Sequence, residues 1–274
     1  MYTCFINFAK AFDSINQNLM WNKLAIMGVS TKILSLLKSM YKKATCKVTL
    51  NNSLSSSFLC RKGVRQGCNL SPLLFSLFIS DLESHLATSS GYITLDQLKA
   101  QLLLFADDLV LLADSETEMQ DSMNKLDEYC KLWELEINAE KTKVVVFGKT
   151  RNPSAFKIGS KTIHCDTSYK YLGIILTANG SFKSAILTLA NQANKTLFAL
   201  MRGASKLFFP KPSLLCHLFD SLVRPVTEYG SETWGYTQAE QLEIIHRKFC
   251  KFALGVPRSA TNLASYGELG RCPL

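Results

Sequence analysis

The sequence predicts an α+β fold with a mainly antiparallel sheet, followed by a helical region. Three observations carry this expectation. Short apolar runs that read as strands (residues 4–8, 102–106, 109–113, 143–147 and 169–176) alternate with stretches of helical periodicity. Two of these runs are interrupted only by Asp107-Asp108, the pattern of a hairpin. Beyond Gly180 the pattern is helical, over 185–200, 212–223 and 240–254. At 274 residues and 47% apolar, the chain is long enough to bury one large core or two modest ones, and the change of pattern near Asn179-Gly180 sets a boundary between 1–178 and 179–274.

Each element has a local reason. After the first strand, Asp13 or Ser14 is the expected N-cap of a helix that Gly28 stops. Ser30 opens a second helix, with Ile33, Leu34, Leu37, Met40 and Tyr41 expected on its apolar face. Residues 46–50 and 54–60 flank Asn51-Asn52 as an extended pair. Ser71-Pro72 is an N-cap and first-turn proline for an apolar helix through Leu74, Leu77, Phe78 and Leu82. Ser115 and Glu118 form a capping box for a helix that reaches Trp133.

Composition excludes several classes. No run of about 18 uncharged apolar residues crosses a membrane, and the first ten residues lack the pattern of a signal peptide, so an intracellular setting is expected, nuclear or cytoplasmic. Nine cysteines without C-x-x-C spacing suggest buried thiols rather than a disulfide framework or zinc knuckle. His85, His164, His217 and His246 show no zinc-ligand spacing, and no phosphate-cradling G-x-x-x-x-G-K-[ST] loop occurs. The net charge is +9, unevenly spread. Residues 14–80 and 167–219 contain no Asp or Glu, but carry cations such as Lys23, Lys43, Lys62 and Arg65 in the first and Lys195 and Arg202 in the second; residues 81–140 are strongly acidic. Two basic segments around an acidic one suit a phosphate-tracking groove with a metal-binding floor; solvated helix faces are the alternative.

Adjacent aspartates between two apolar strands are the most informative feature. Carboxylates in such surroundings are costly to desolvate unless a cation neutralises them, and a pair of magnesium ions roughly 3.5–4 Å apart is the usual device for phosphoryl transfer. An exposed Asp-Asp turn is the plainer reading. The order of blocks decides in favour of the first. Phe105-Ala106-Asp107-Asp108, with the segments at 5–13, 63–75, 135–143 and 171–174, resembles the reverse transcriptases of non-LTR (LINE-type) retrotransposons. The resemblance is strong over residues 4–178 and weaker beyond, where residues 229–235 are similar to the segment after the thumb.

That resemblance implies a right-hand polymerase palm over 1–178 and a helical thumb or connection region over 179–274. It implies an RNA-directed DNA polymerase that uses two Mg2+ ions, an RNA template, a DNA primer and deoxynucleoside triphosphates. Asp107 and Asp108 take the metal-binding positions. Phe8, Phe12, Arg65, Gln66 and Gly67 take the nucleotide and template positions, with Phe12 as steric gate; Tyr171, Leu172 and Gly173 take the primer grip. Lys141 is the expected proton donor to pyrophosphate, with Lys143 as the alternative. For Phe12 a plain core role, for Gly67 a hairpin turn and for Arg65 a surface role stay open.

Two departures matter. Asn7 stands where the family has its first catalytic aspartate, and a neutral amide with one acceptor oxygen cannot bridge two dications, so one metal is expected to bind weakly. Asn69 replaces a usual proline, and, since the sequence opens at the first block, the upstream fingers of the family are expected to be missing. The expectation is a reverse transcriptase domain impaired as written. The alternative is a catalytically dead nucleic-acid-binding remnant.

Overall fold

The computed structural model describes residues 1–87, 92–95, 98–148, 155–206, 210–237 and 239–274. They form two compact units, Met1–Tyr169 and Lys170–Leu274. Among the described residues no helix is long and apolar enough to cross a membrane.

The first unit is built on a five-stranded sheet. Its order is Cys165–Asp166, Lys143–Val146, Tyr2–Asn7, Asp108–Ala113, Leu102–Phe105, and only the first pair is parallel. Tyr2–Asn7 is central and buried along nearly its whole length. Tyr2, Cys4 and Ile6 enter the main core with Leu109, Leu111 and Val144, while Thr3, Phe5 and Asn7 alternate onto the opposite face. Met20, Leu24, Leu74, Phe75, Phe78, Met123 and Tyr129 complete that core from the helices Gln17–Ile26, Ser71–Ile79 and Glu116–Trp133.

The expected capping box is present. Ser115 Oγ accepts from the Glu118 amide at 3.2 Å, and Glu118 accepts from the Ser115 amide at 3.3 Å. Ser30 caps Thr31–Lys42 as expected. Other expectations are corrected. Asn16, not Asp13 or Ser14, caps Gln17–Ile26, and Asp13 lies in a separate single turn, Ala11–Ser14. Ile33 and Met40 stay exposed while Leu34, Leu37 and Tyr41 are buried, because the helix packs on a stripe narrower than its apolar pattern. Lys23, counted above with the groove cations, is 3% exposed. Its ammonium lies 2.5 Å from Asp81, 2.7 Å from the Tyr129 hydroxyl and 3.8 Å from the centre of the Trp133 ring. Nor are all cysteines buried thiols. Cys46 and Cys60 form a disulfide, and Cys272 is exposed. The strand pairs Thr45–Cys46 with Phe58–Leu59, and Thr49–Leu50 with Ser53–Leu54, bring the two sulfurs together.

The second unit is mainly helical. Lys183–Ala204, Pro212–Leu222 and Glu240–Ala253 pack through Leu189, Ala193, Leu197, Phe219, Ile245 and Phe249. A half-buried polar knot adds to this core: Arg271 forks onto Asp220 and donates to His246 Nε2 at 2.9 Å.

Candidate active site

The two aspartates sit at the end of the hairpin, where Ala106 and Asp107 form the turn and Asp108 already belongs to the return strand, paired with Phe105. Ala106 has φ +53, a left-handed position that a two-residue hairpin turn requires. On its other side Asp108 is directly opposite Asn7 of the central strand. Directly opposed residues present their side chains to the same face with Cβ atoms about 4.5–5.5 Å apart. The sheet register therefore joins two of the sequence-predicted positions, 101 residues apart in the chain, with Asp107 adjacent.

Asn7 is held from behind. Its backbone N–H donates to the buried Thr142 hydroxyl at 3.3 Å, and its backbone carbonyl accepts from the Asn138 backbone N–H at 2.8 Å. The 135–143 segment thus pins the strand end. Lys143 is opposite Phe5, two residues along from Asn7, and so shares the face of Asn7 and Asp108; Lys141 lies in the exposed turn before that strand.

Burial pushes the Asp108 carboxyl above the ordinary range, and the charge of Asp107 adds to it. This is an electrostatic setting that a cation would relieve. Tyr169 borders the same place: its ring stacks on Phe5 at 4.4 Å, and burial followed by the Asp108 charge raises its hydroxyl pKa. The sequence reading missed Tyr169, whose only signal is its place at the start of an apolar run. Among the described residues, no group of three or more His, Cys, Asp or Glu side chains is gathered to hold a metal.

A second cluster brings the Phe12 and Gln66 segments together. Backbone bonds from Gly63 to Ile15 (2.8 Å) and from Val64 to Phe12 (2.7 Å) dock the loop onto the Ala11–Ser14 turn. Gly63 is required there: at φ +79, a Cβ would lie 2.7 Å from the carbonyl oxygens of both Phe12 and Asp13. The Gln66 amide then donates to both oxygens of Asp13, at 3.0 and 3.1 Å. Phe12 is half-buried with its ring 5.1 Å from Phe75, whereas Phe8 is buried against Phe75 from the strand end. Arg65 donates to the Met40 carbonyl at 2.9 Å. Asp13, Lys43, Lys62, Arg65 and Gln66 line a cavity of ≈ 670 Å³, with the Cys46–Cys60 bridge at its wall. Gly67 has φ +78 and open space around it, so its turn conformation accounts for the glycine.

Tyr171, Leu172 and Gly173 belong to the second unit's opening hairpin, where Leu172 (φ +45) and Gly173 (φ +89) form the turn. The Tyr229 hydroxyl donates to the Leu172 carbonyl at 2.7 Å and fixes that turn.

Against known proteins, residues 1–176 match the family described as reverse transcriptase (RNA-dependent DNA polymerase). The chain is similar to the RNA-directed DNA polymerase from mobile element jockey of Drosophila melanogaster, 26% identical over 92% of this chain and 28% of that protein. It is also similar to a retrovirus-related Pol polyprotein from the type-1 retrotransposable element R2 of Popillia japonica, 25% identical over 82% of this chain and 39% of that protein. The chain thus spans well under half the length of these relatives. Among solved structures it is similar to telomerase from Candida albicans, 13% identical over 98% of this chain and 44% of that one, with a TM-score of 0.47.

Proposed function

The chain belongs to the reverse transcriptase family, as a LINE-type reverse transcriptase domain, and from that premise we propose that it is an RNA-directed DNA polymerase palm whose metal site is incomplete at Asn7. The observation that carries the proposal is the cross-strand pairing of Asn7 with Asp108 beside Asp107. In this reading residues 1–178 form the palm and 179–274 a thumb or connection region.

The donor set fits one divalent cation better than two. Asp107 and Asp108 would hold Mg2+ through carboxylate oxygens, and the Asn7 amide contributes at most one neutral oxygen. When bound, the cation would polarise phosphate oxygens and offset developing negative charge. The chain's own side chains do the rest. Phe12 stands under the sugar of an incoming deoxynucleotide, and Gln66, oriented by Asp13, meets the nucleotide and template beside Arg65 and Gly67. Lys141 delivers a proton to the departing pyrophosphate, and Lys143 is the competing donor from the carboxylate face. Tyr171, Leu172 and Gly173 steady a DNA primer paired to an RNA template. A non-catalytic nucleic-acid-binding role is favoured instead to the extent that Asn7 abolishes metal binding.

Primer extension on an RNA template with deoxynucleotides and Mg2+ tests this reading, comparing the chain with its Asn7→Asp variant. Extension by the variant alone supports it. Extension by both chains to the same degree refutes the role given to Asn7, and extension by neither refutes a site lacking only that carboxylate.

A further inference from the structure

The Cys46–Cys60 bridge closes the base of an exposed hairpin. Every residue from Thr45 to Leu59 is exposed, among them Leu50 at 71% and Leu54 at 66%, and none joins either hydrophobic core. The paired strands are only two residues long, so the bridge is the strongest tie the hairpin has. Its foot continues into the loop that carries Gln66. Cys60 donates its backbone N–H to the Ala44 carbonyl at 3.0 Å, and the Gln17 side chain donates to the carbonyls of Cys60 and Gly63 at 3.4 and 3.0 Å. Gly63 and Val64 dock in turn on Ile15 and Phe12. Both cysteines lie at the wall of the ≈ 670 Å³ cavity with Lys43, Lys62 and Arg65. The one lining carboxylate among the described residues, Asp13, is engaged by Gln66.

We propose that Cys46 and Cys60 are a reversible thiol–disulfide exchange site for a low-molecular-weight disulfide such as glutathione disulfide, and that their oxidation state sets how firmly the Gln66 loop is held. Cys46 is exposed and Cys60 partly so, which lets a small thiol reach the sulfurs; exposed bridges are the labile ones. Lys43, Lys62 and Arg65 stand beside the pair, and residues 14–80 contain no Asp or Glu, a setting that favours the thiolate, the reacting form. The two Cα atoms are 6.3 Å apart, within the span of a disulfide, so the bridge can open and re-form without a backbone shift. Other cysteines contrast with this: burial pushes Cys130 up to about 12 and Cys250 to about 11, which keeps them as inert thiols. In the closing direction one protein thiolate attacks a sulfur of glutathione disulfide, expels a glutathione thiolate and leaves a mixed disulfide. The second protein thiolate attacks the protein-side sulfur and expels the other glutathione. The protein loses two electrons and two protons, and one glutathione disulfide becomes two glutathione molecules. Opening the bridge frees the hairpin, and Cys60 passes that freedom to Gly63 and Val64 through the bonds at the foot.

The test equilibrates the full chain in EDTA with glutathione and glutathione disulfide at graded ratios, traps free thiols with N-ethylmaleimide and locates them by peptide mass spectrometry. Cys46 and Cys60 are expected to lose and regain alkylation together as the ratio changes, from either direction, while Cys130 and Cys250 stay thiols throughout. Hydrogen–deuterium exchange then reads the loop. Residues 61–66 should exchange about tenfold faster in the reduced chain, with Tyr2–Asn7 and Glu116–Trp133 unchanged. Cys46→Ser and Cys60→Ser should exchange as the reduced chain does at every ratio, whereas Cys272→Ser should keep the response; circular dichroism confirms that each is folded. The proposal is overturned if the pair stays reduced, or stays bridged, at every ratio. It is equally overturned if the bridge opens and closes with no change in exchange at residues 61–66, or if Cys46→Ser leaves the redox response intact. No readout involves a metal or a nucleotide, so such a failure leaves the carboxylate reading standing.

Discussion

Gly63→Ala and Gly67→Ala probe how the Gln66 loop is held. Both glycines have positive φ, +79 and +78, so alanine at either position costs about 1–2 kcal/mol for the left-handed backbone. Both substitutions also restrict the unfolded chain, returning about 0.4–1 kcal/mol to each variant alike. Surroundings separate them. A Cβ at Gly67 meets nothing within 4 Å, whereas one at Gly63 falls 2.7 Å from two carbonyl oxygens and 2.8 Å from the Asp13 Cα. Those atoms are backbone, tied by the Val64–Phe12 and Gly63–Ile15 hydrogen bonds, so no side chain can swing aside. Overpacking of this kind adds about 1–3 kcal/mol. Urea unfolding should therefore show Gly63→Ala less stable than Gly67→Ala by about 1–3 kcal/mol at similar m-values. Equal losses, or a larger loss at Gly67, would refute the docking of the loop on the Phe12 turn.

Asp108→Asn should raise stability at neutral pH without divalent cations. A carboxyl whose folded pKa is raised makes the fold lose stability as pH rises from the ordinary carboxylate value through the folded one, and the amide removes that slope. The gain comes first from relieving the buried charge and second from removing its repulsion by Asp107, on the order of 1 kcal/mol in all, and thermal midpoints across pH 3–8 measure it. Asp81→Ala should cost about 3 kcal/mol, because it leaves the 3%-exposed Lys23 ammonium without its counter-charge, while Lys23→Met should cost only about 1–2 kcal/mol, since the 44%-exposed Asp81 can hydrate. Thermal denaturation of both variants checks the order, and the reverse order contradicts the account of the buried network.

Much of the fold was legible because its signals are local. The capping box at Ser115 and the hairpin carrying Asp107-Asp108 depend on neighbouring residues, and both appear where the sequence places them. Longer-range features were less accessible. Asp13 looks like a helix cap in the sequence, but the loop at Gly63 draws its carboxylate to Gln66 and leaves capping to Asn16. Lys23 reads as one more cation of a basic stretch until Asp81 and three aromatic rings surround it. The extended pair around Asn51-Asn52 was legible, but the Cys46–Cys60 bridge across it was not, because scattered cysteines without a spacing pattern do not announce which two will meet. At the site the residue types were readable, but the pairing of Asn7 with Asp108 was not, because register between distant strands is set by the whole sheet.

The most direct test of an incomplete metal site is Mn2+ binding followed by electron paramagnetic resonance, comparing the chain with Asn7→Asp and with Asp107→Asn/Asp108→Asn. The account predicts weak binding by the chain, tighter binding or an additional bound ion in Asn7→Asp, and none at this site in the double variant. Identical isotherms for the chain and Asn7→Asp would contradict it.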